Sequence, residues 1–271
     1  FILSAGHASI LLYSMLHLTG HGLTLDDIRN FRQWGSATPG HPEVGHTAGV
    51  EVTTGPLGQG FANGVGMAMA ERNLRARFGS ELSDHHTFVI CGDGDLAEGI
   101  SHEAASLAGH QGLGRLVAIY DDNHVTIDGP TELALSDDAP ARFRSYGWHV
   151  TDLGDAAEDL DAMEGAIRDA MAVTDRPSLI VLRTHIGHPS PDVDSSAVHG
   201  YSLTDDGIAE TKRRMGLPED QAFWVPDEVL DQYRATGRRG GDARRAWEER
   251  LAYFTGDRAI WDAAQTGRGV D

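Results

Sequence analysis

The sequence predicts an α/β fold, a doubly wound and mostly parallel sheet with helices on both faces and a C-terminal helical extension. Short apolar runs alternate along the chain with stretches of helical period. Such alternation is typical of strand–helix–strand units, whose right-handed crossovers place successive strands in parallel. Hydrophobic residues make up 40% of the 271 residues and charged residues 23%, which excludes a disordered or collagen-like chain.

The sequence of the first third of the chain predicts three helices and one long loop. Residues 7–20 have a helical period that ends at a glycine, and a short helix with an acidic first turn follows Thr24. Residues 33–57 are rich in Gly, Pro and Thr and form the loop. A loop of this length inside a compact domain usually carries function. The third helix covers residues 58–78.

Helix 58–78 contains three glycines, Gly60, Gly64 and Gly66. Glycine lowers helix propensity, so its repeated use needs a reason in packing. We therefore expect a neighbouring element to pack very closely against that face.

The middle of the chain predicts four strands that alternate with helices. The strands cover residues 87–91, 116–120, 148–153 and 178–183. The helices cover about 98–111 and 158–173. This arrangement implies a parallel sheet whose strand ends meet at one edge.

The C-terminal part predicts helices only. After Gly187 a polar loop runs to about residue 204, and three helical stretches follow. They lie around 205–215, 226–235 and 242–264. The basic segment GRRGGDARR separates the last two, and we interpret it as a solvated helix connection.

The charge balance excludes several classes of partner. The chain has 22 Lys and Arg against 41 Asp and Glu, a formal charge of −19. Binding to nucleic acid or to an anionic membrane needs a basic surface, so we expect neither partner. No apolar run approaches the ~18 residues that a membrane-spanning helix needs. Any anionic ligand must be neutralised locally, by a metal ion, by histidines or by helix ends.

The single cysteine, Cys91, excludes an internal disulfide and is typical of a cytoplasmic protein. The first residues, FILSAGHASILLYSML, lack the basic start and the cleavage site of a signal peptide. They also lack an initiating Met, so we expect further chain upstream.

Asp93 and Asn123 each follow a predicted strand, one strand–helix–strand unit apart. Ligands of open parallel sheets bind outside the carboxyl ends of the strands. Two oxygen-bearing side chains there, with a backbone carbonyl from the next turn, suit a hard cation such as Mg²⁺ or Ca²⁺. Gly92 and Gly94 allow an anion to approach the backbone closely. The alternative is a tight turn with an exposed Asp and a turn-forming Asn.

The long loop contains a second candidate site. Gly55 and Gly58 flank Pro56 and Leu57 directly before a helix. This arrangement exposes backbone groups to a ligand while Leu57 presents an apolar surface. Taken alone, the segment is also consistent with an ordinary connection.

Histidines are frequent in the chain, 14 in all. His41 and His46 lie in the long loop, and with His7 upstream they favour a ligand site there. His7 at a helix start and His199 in an irregular loop are each able to donate to a phosphate, although their spacing alone does not require it. No pair has the spacing of a zinc site.

Four stretches of the sequence resemble transketolase, and within it the N-terminal, diphosphate-binding domain. They are SAGHASILLYSMLHLTG, NFRQWGSATPGHPEVGHTAGVEVTTGPLGQGFANGVGMAMAE, GDGDLAEGISHEAASLAG and YDDNHVTIDG. The resemblance extends to about residue 255 and weakens after Gly187. TPGHPE with GPLGQG separates transketolase from other thiamine diphosphate enzymes, which share chiefly the GDG and Asn elements.

The resemblance implies thiamine diphosphate as the cofactor, held through Mg²⁺ or Ca²⁺. The implied metal ligands are Asp93, Asn123 and the backbone carbonyl of Val125. The implied cofactor-binding residues are His7, Gly55, Pro56, Leu57, Gly94, Asn123, Ile127 and His199.

The resemblance also implies catalytic residues and an activity. His41 and His199 would face the substrate, and Glu98 would belong to an acidic network that links the two active sites of a dimer. The implied reaction transfers a two-carbon ketol unit from a ketose phosphate to an aldose phosphate.

Parts of the family's pattern are missing from this chain. A substrate-contacting histidine would lie upstream of Phe1, and the glutamate that activates the aminopyrimidine belongs to a second domain. We therefore expect a fragment or split-gene subunit that is completed by a pyrimidine-binding domain or subunit, as a homodimer or a heterotetramer. Residues 1–200 would form the diphosphate- and metal-binding domain. Residues 201–271 would form the helical extension and the start of a linker to the missing domain.

One departure from the family's pattern and three alternative interpretations remain. His185 and His188-Pro189 replace apolar and aromatic residues of the family's pattern, which affects one wall of the expected pocket. Dihydroxyacetone synthase shares the TPGHPE loop, and acceptor use of formaldehyde against ribose 5-phosphate would separate it from transketolase. The 1-deoxyxylulose-5-phosphate synthase is a more distant alternative, and a non-catalytic binding domain of the same fold is another.

Overall fold

A computed structural model describes residues 1–200 and 202–267 of the chain. The strands are, in chain order, β1 (Ile2–Leu3), β2 (Thr87–Gly92), β3 (Leu116–Asp122), β4 (Val125–Thr126), β5 (Gly129–Pro130), β6 (His149–Asp152) and β7 (Ser178–Arg183). The helices are α1 (Ser9–Thr19), α2 (Leu25–Arg29), α3 (Gln59–Phe78), α4 (Asp93–Ala97), α5 (Gly99–Gln111), α6 (Ala139–Ser145), α7 (Leu160–Ala172), α8 (Ala197–Gly200), α9 (Asp205–Arg214), α10 (Asp227–Ala252) and α11 (Arg258–Thr266). Residue 201 and residues 268–271 of the expected extension lie outside the described residues.

The main sheet has five strands in the order β1-β2-β3-β7-β6, and every neighbouring pair is parallel. The predicted doubly wound, parallel sheet is confirmed. Strands β2 and β3 pair with Gly92 opposite Asp121, so their carboxyl ends lie side by side. A small antiparallel hairpin, β4–β5, follows β3 at the same edge.

Helices cover both faces of the sheet, as predicted. On one face α3 and α5 pack against β2 through a core that includes Phe61, Val89 and Ala105. On the other face α7 packs against β3 and β7 through Ala170 and Ile180. Burying a large apolar side chain stabilises a fold by about 1.5–3 kcal/mol. Packing therefore stabilises α3 even though its glycines lower helix propensity.

An aromatic cluster joins the far edge of the sheet to this core. The Trp148 ring lies with its centroid 4.9 Å from that of Phe143 and 6.0 Å from that of Phe61. The Trp148 Nε1–H also donates to the carbonyl of Ala105 at 2.8 Å. The cluster thus fixes α6 and β6 against α3 and α5.

The glycines of α3 show how closely the helix approaches the sheet. A Cβ on Gly64 would lie 2.4 Å from Cγ2 of Val89, and one on Gly60 would lie 2.6 Å from Cα of Ser4. The expected close packing is confirmed at these two positions. It is wrong for Gly66, which is exposed and has nothing within 4 Å of a built Cβ.

The predicted bounds of the last helices are wrong. The expected break between residues 235 and 242 is absent, and the expected helix 242–264 is instead divided at residues 253–257, between α10 and α11. Helix α10 runs without interruption through GRRGGDARR. Gly237 faces α1 so closely that a Cβ there would lie 1.9 Å from the carbonyl oxygen of Thr19. Farther along, the Trp247 Nε1–H donates to the carbonyl of Leu82 at 2.9 Å. These tertiary contacts hold the helix together across glycines that favour a break in an isolated segment.

Six short strands and α-helices of the described residues were not predicted, namely β1, β4, β5, α4, α6 and α8. Each has seven residues or fewer, too short for a periodic pattern to show in the sequence. In the part of the chain that the structure describes, no helix is both long enough and apolar enough to cross a bilayer.

Candidate functional site

Asp93 and Asn123 lie together at the carboxyl edge of the sheet. Strand β2 ends at Gly92, and Asp93 begins α4. The Asp93 carboxylate accepts hydrogen bonds from the backbone N–H groups of Asn123 (3.2 Å) and His124 (3.1 Å) and from the Tyr120 hydroxyl (2.6 Å). The expected proximity of the two strand ends is therefore observed. Their role as metal ligands stays a prediction.

The Asp93 carboxylate is a buried charge, only 6% exposed. Burial raises its pKa, and the hydrogen bonds from Tyr120, His124 and Asn123 act against that rise. Among residues 1–200 and 202–267 it forms no ion pair. A buried carboxylate without a cation is costly, so this environment fits a bound metal ion.

The oxygen atoms near Asp93 suit a hard cation. The Asn123 side-chain oxygen accepts from the Val125 N–H at 2.9 Å, and its Nδ2 donates to Asp121 at 3.2 Å. No three His, Cys, Asp or Glu side chains of the described residues group closely enough to hold a metal ion. A cation here would therefore need amide and backbone carbonyl oxygens as well as the carboxylate, which is the ligand set that Mg²⁺ and Ca²⁺ accept.

A cavity of about 210 Å³ opens next to Asp93. It is lined also by Tyr120 and by Arg142, whose guanidinium is already engaged. That guanidinium donates to the carbonyl of Leu96 at 2.9 Å and forms an ion pair with Asp137. Among the described residues, Arg142 therefore forms its ion pair with Asp137 and not with Asp93.

His7 and His199 lie 192 residues apart in the chain and stack on each other. His7 lies in a short 3₁₀ turn after β1, and His199 lies in α8. Their ring centroids are 5.0 Å apart with an interplanar angle of 15°. Burial lowers the pKa of His7, and the neighbouring His199 lowers it further. A His7 ring held neutral can still donate one N–H to an anion.

His199 has an unused polar atom. Its Nδ1 is buried and has no hydrogen-bond partner among the described residues. A buried polar atom without a partner in a native protein needs an explanation, and a ligand is one. The stacked pair therefore offers nitrogen atoms to an anionic ligand at this place.

The long loop meets the His7 turn and the turn after β2. A Cβ on Gly6 would lie 2.8 Å from the backbone nitrogen of Gly55. A Cβ on Gly94 would lie 3.0 Å from Cδ1 of Leu57. The His41 ring contacts Gly55, at 3.5 Å from a built Cβ. Gly55, Leu57, Gly94 and His41 are thus brought together as expected.

Three other residues that are expected at or near the site are exposed to solvent around it. Glu98 is exposed and is the N-cap of α5, next to Gly58. Ile127 is 65% exposed in the turn between β4 and β5. His46 is exposed and its Nε2 lies 2.9 Å from the carbonyl of Ser36. These positions are open to a ligand or a partner but do not contact the Asp93 carboxylate directly.

The two histidines that depart from the family's pattern pair with carboxylates. His185 Nδ1 lies 2.8 Å from Asp194, and His188 Nε2 lies 2.7 Å from Glu158. All four side chains are substantially exposed, so these pairs contribute little to stability.

One buried residue of the site was missed in the sequence. Asp95 is 1% exposed and accepts hydrogen bonds from Ser4, Gly58 and Gly92. An acidic residue at the third position of a helix commonly caps the N-terminus. In GDGDLAEG the second Asp has that position, and this signal was available.

A family profile described as "Transketolase, thiamine diphosphate binding domain" matches residues 1–266. Among curated proteins, the chain is 51% identical to the transketolase of Nostoc sp. over 259 residues, which cover 94% of this chain and 38% of that protein. It is 49% identical to the transketolase of Halalkalibacterium halodurans, again over 94% of this chain and 38% of the relative.

Solved structures give the same result. Transketolase from Leishmania mexicana superimposes with a TM-score of 0.94 at 41% identity, covering 99% of this chain and 41% of that one. Transketolase from Pichia stipitis in complex with sedoheptulose 7-phosphate superimposes with a TM-score of 0.92 at 44% identity, covering 97% of this chain and 39% of that one. The chain thus spans about two fifths of the length of these relatives.

Proposed function

The chain belongs to the transketolase family through its thiamine diphosphate-binding domain, and from this premise we propose that its strand-end site holds the diphosphate of the cofactor through a divalent cation. The observation that supports this most is the buried Asp93 carboxylate, which has no cationic partner among the described residues. A divalent cation would offset the cost of burying that charge and would neutralise an anionic ligand in a chain of charge −19.

The residues expected at the site would bind the metal ion, the diphosphate or the rings of the cofactor. Asp93, Asn123 and the carbonyl of Val125 would bind Mg²⁺ or Ca²⁺. His7, His199 and the backbone of Gly94 would donate to the diphosphate. The ring systems of the cofactor would contact Gly55, Pro56, Leu57 and Ile127.

We propose that the complete protein transfers a two-carbon ketol unit from a ketose phosphate to an aldose phosphate. When bound, thiamine diphosphate supplies the electron sink for breaking and forming the carbon–carbon bond. His41 and His199 would orient the sugar hydroxyls and move protons, since an imidazole ring has two nitrogen atoms that serve as donor and acceptor. Sugar phosphates as substrates are supported by the relative from Pichia stipitis, whose solved complex contains sedoheptulose 7-phosphate.

The proposal includes a partner, because the chain spans about two fifths of its relatives. Residues 1–200 would form the diphosphate- and metal-binding domain, and 201–271 would extend towards a pyrimidine-binding domain or subunit. The assembly would be a homodimer or a heterotetramer, with Glu98 in the network between active sites. The exposed position of Glu98 at the N-cap of α5 leaves it accessible for such a contact. We place the protein in the cytoplasm.

The proposal is tested by metal-dependent binding of thiamine diphosphate. We expect calorimetric titration of the chain, alone and with its pyrimidine-binding partner, to show binding with Mg²⁺ and its loss with a chelator. Asp93→Ala should abolish this binding. It removes the acceptor of three hydrogen bonds and should lower the free energy of unfolding, but the circular dichroism spectrum should remain that of a folded chain, because the apolar core of the sheet is unchanged.

Asp161→Ala is the control, since Asp161 is an exposed acid on α7 and its removal changes the net charge equally. Failure of Mg²⁺ to raise the affinity for thiamine diphosphate, even with the partner present, would reject the proposed function. Unchanged affinity in Asp93→Ala would reject the assignment of the metal ligand.

A further inference from the structure

Asp95 is a buried carboxylate to which the proposed function gives no role. Its side chain accepts from the Ser4 hydroxyl at 2.7 Å, from the Gly58 N–H at 2.8 Å and from the Gly92 N–H at 3.0 Å. Its backbone carbonyl accepts from the Ser101 hydroxyl at 2.6 Å. Every one of these contacts is buried or partly buried.

The three donors to the carboxylate come from three separate segments. Ser4 follows β1, Gly58 is the N-cap of α3 at the end of the long loop, and Gly92 ends β2. Two of the donors are neighbours of expected cofactor contacts, because Gly58 follows Leu57 and Gly92 precedes Asp93. One carboxylate therefore connects the segment expected to meet the cofactor's rings with the turn expected to meet its diphosphate.

Close contacts fix the distance between the segment that contains Leu57 and the turn that contains Gly94. Leu57 lies so close to Gly94 that a Cβ there would come within 3.0 Å of Leu57 Cδ1. Gly58 adopts a left-handed conformation with φ of 75°, which directs its N–H towards Asp95. A change in either segment would therefore shift Leu57 relative to the Asp93 turn.

The Asp95 carboxylate is buried without a cationic partner in the described part of the chain. Asp93, a second buried carboxylate, lies two positions away, and the described part of the chain provides Asp95 with no ion pair. Hydrogen bonds to an ionised acceptor are roughly twice as strong as neutral ones. One carboxylate oxygen accepts from Ser4 and Gly58 and the other accepts from Gly92, so an amide, which has a single acceptor oxygen, is unable to hold both segments.

We propose that Asp95 is a positioning residue that holds the 55–58 segment and the 92–94 turn at the separation a single thiamine diphosphate molecule requires. It acts through Gly58 and Gly92 and does not itself contact the cofactor. The inference rests on the proposed function for the identity of the ligand. The shared anchoring of the two segments stands on the hydrogen bonds alone.

The test compares Asp95→Asn with a matched control, Glu71→Gln. Both changes convert a carboxylate that is 1% exposed into an amide, and Glu71 lies on α3 away from these contacts, paired with Arg75. The full chain is titrated with thiamine diphosphate and, separately, with inorganic pyrophosphate, each with Mg²⁺. Pyrophosphate has the diphosphate but no rings, so it does not reach Leu57.

We expect Asp95→Asn to weaken thiamine diphosphate binding about tenfold, the effect of losing one charge-assisted hydrogen bond. Pyrophosphate binding should stay close to that of the unchanged chain, and Glu71→Gln should alter neither ligand. Unchanged thiamine diphosphate affinity, an equal loss for both ligands, or the same selective loss in Glu71→Gln would overturn the inference.

Hydrogen exchange of the ligand-free chain separates this inference from the proposed function. Asp95→Asn should accelerate exchange at the amides of Gly58 and Gly92, and Glu71→Gln should not. If the unchanged chain binds neither ligand, even with its pyrimidine-binding partner present, the proposed function fails, and this exchange experiment still decides whether Asp95 anchors both segments. Unaltered exchange at both amides would then refute the anchoring.

Discussion

Asp93 shows how a single residue and its neighbours prepare a site. Its carboxylate accepts three hydrogen bonds, yet burial still raises its pKa, because those donors are neutral groups. The partnership of Asp93 with the end of β3 was predictable, since parallel neighbouring strands place their carboxyl ends together. The stacking of His7 on His199 was not predictable from spacing, because nothing local in the chain relates the two. Only the family resemblance indicated that pair.

His199→Ala tests the role of that histidine at the residue scale. The recorded contact of the ring is the stack on His7, and its Nδ1 has no partner in the described chain, so its removal should cost little stability. We expect turnover of the ketose donor in the reconstituted enzyme to fall by about 10²–10⁴-fold if the ring transfers a proton. His110→Ala, on the exposed end of α5, is the control for kinetics and for thermal unfolding. A loss of thermal stability that accounts for the whole loss of turnover would show that His199 is structural.

Among the helices, α3 and α10 each contain three glycines, and the predictions for the two had opposite outcomes. Helix α3 was predicted correctly, because its remaining residues favour a helix and its glycines are isolated. Helix α10 was predicted as two pieces, because the segment with Gly240 and Gly241 lowers helix propensity. The contacts that keep it continuous involve Gly237 against α1 and Trp247 against Leu82. Such contacts join residues far apart in the chain, and propensity alone does not report them.

Two single substitutions in α3 separate close packing from helix propensity. Gly64→Ala should lower the free energy of unfolding by about 1–3 kcal/mol, because its Cβ would overlap Val89. Gly66→Ala should raise the same free energy by about 0.5–1 kcal/mol, because that position is exposed and alanine is the better helix former. Urea denaturation measures both. Changes of the same sign in the two variants would contradict the packing described for α3.

For the whole molecule, the alternation of strands and helices predicted the parallel sheet but not its strand order. Strand β6 lies at the edge of the sheet, and β7 lies between β3 and β6. After β3 the chain therefore skips one strand position, which β7 fills later. The position of β6 depends on how α6 and the Phe61–Phe143–Trp148 cluster pack. These contacts join residues far apart in the chain.

The carboxyl edge of the sheet carries the candidate site. The opposite edge carries a charged cluster that includes Arg115 and Asp84.

His86 at this opposite edge predicts a pH dependence of global stability. Burial, and then Arg115, lower the pKa of His86 below its ordinary value. As the pH falls below about 6.5, the unfolded chain therefore binds a proton that the folded chain excludes, and stability decreases. His7 acts with the same sign. We expect His86→Gln to make the fall in unfolding free energy between about pH 7 and pH 5 less steep.

Urea midpoints across that pH range measure the effect. His110→Gln serves as the comparison, because His110 is an exposed histidine on α5. A slope in His86→Gln equal to that of the unchanged chain would show that the native protein tolerates the protonated ring.

The stacking of His7 on His199 has a consequence for biosynthesis. His7 leaves the ribosome about 190 residues before His199, a delay of roughly 10–40 s at ordinary rates of translation. During that interval β1, β2 and β3 are able to pair, and the Asp93 turn is able to form, before the second ring arrives. A nascent chain arrested before α8 should therefore hold a paired sheet and a His7 ring without its stacking partner, and capture of the diphosphate should follow the emergence of α8.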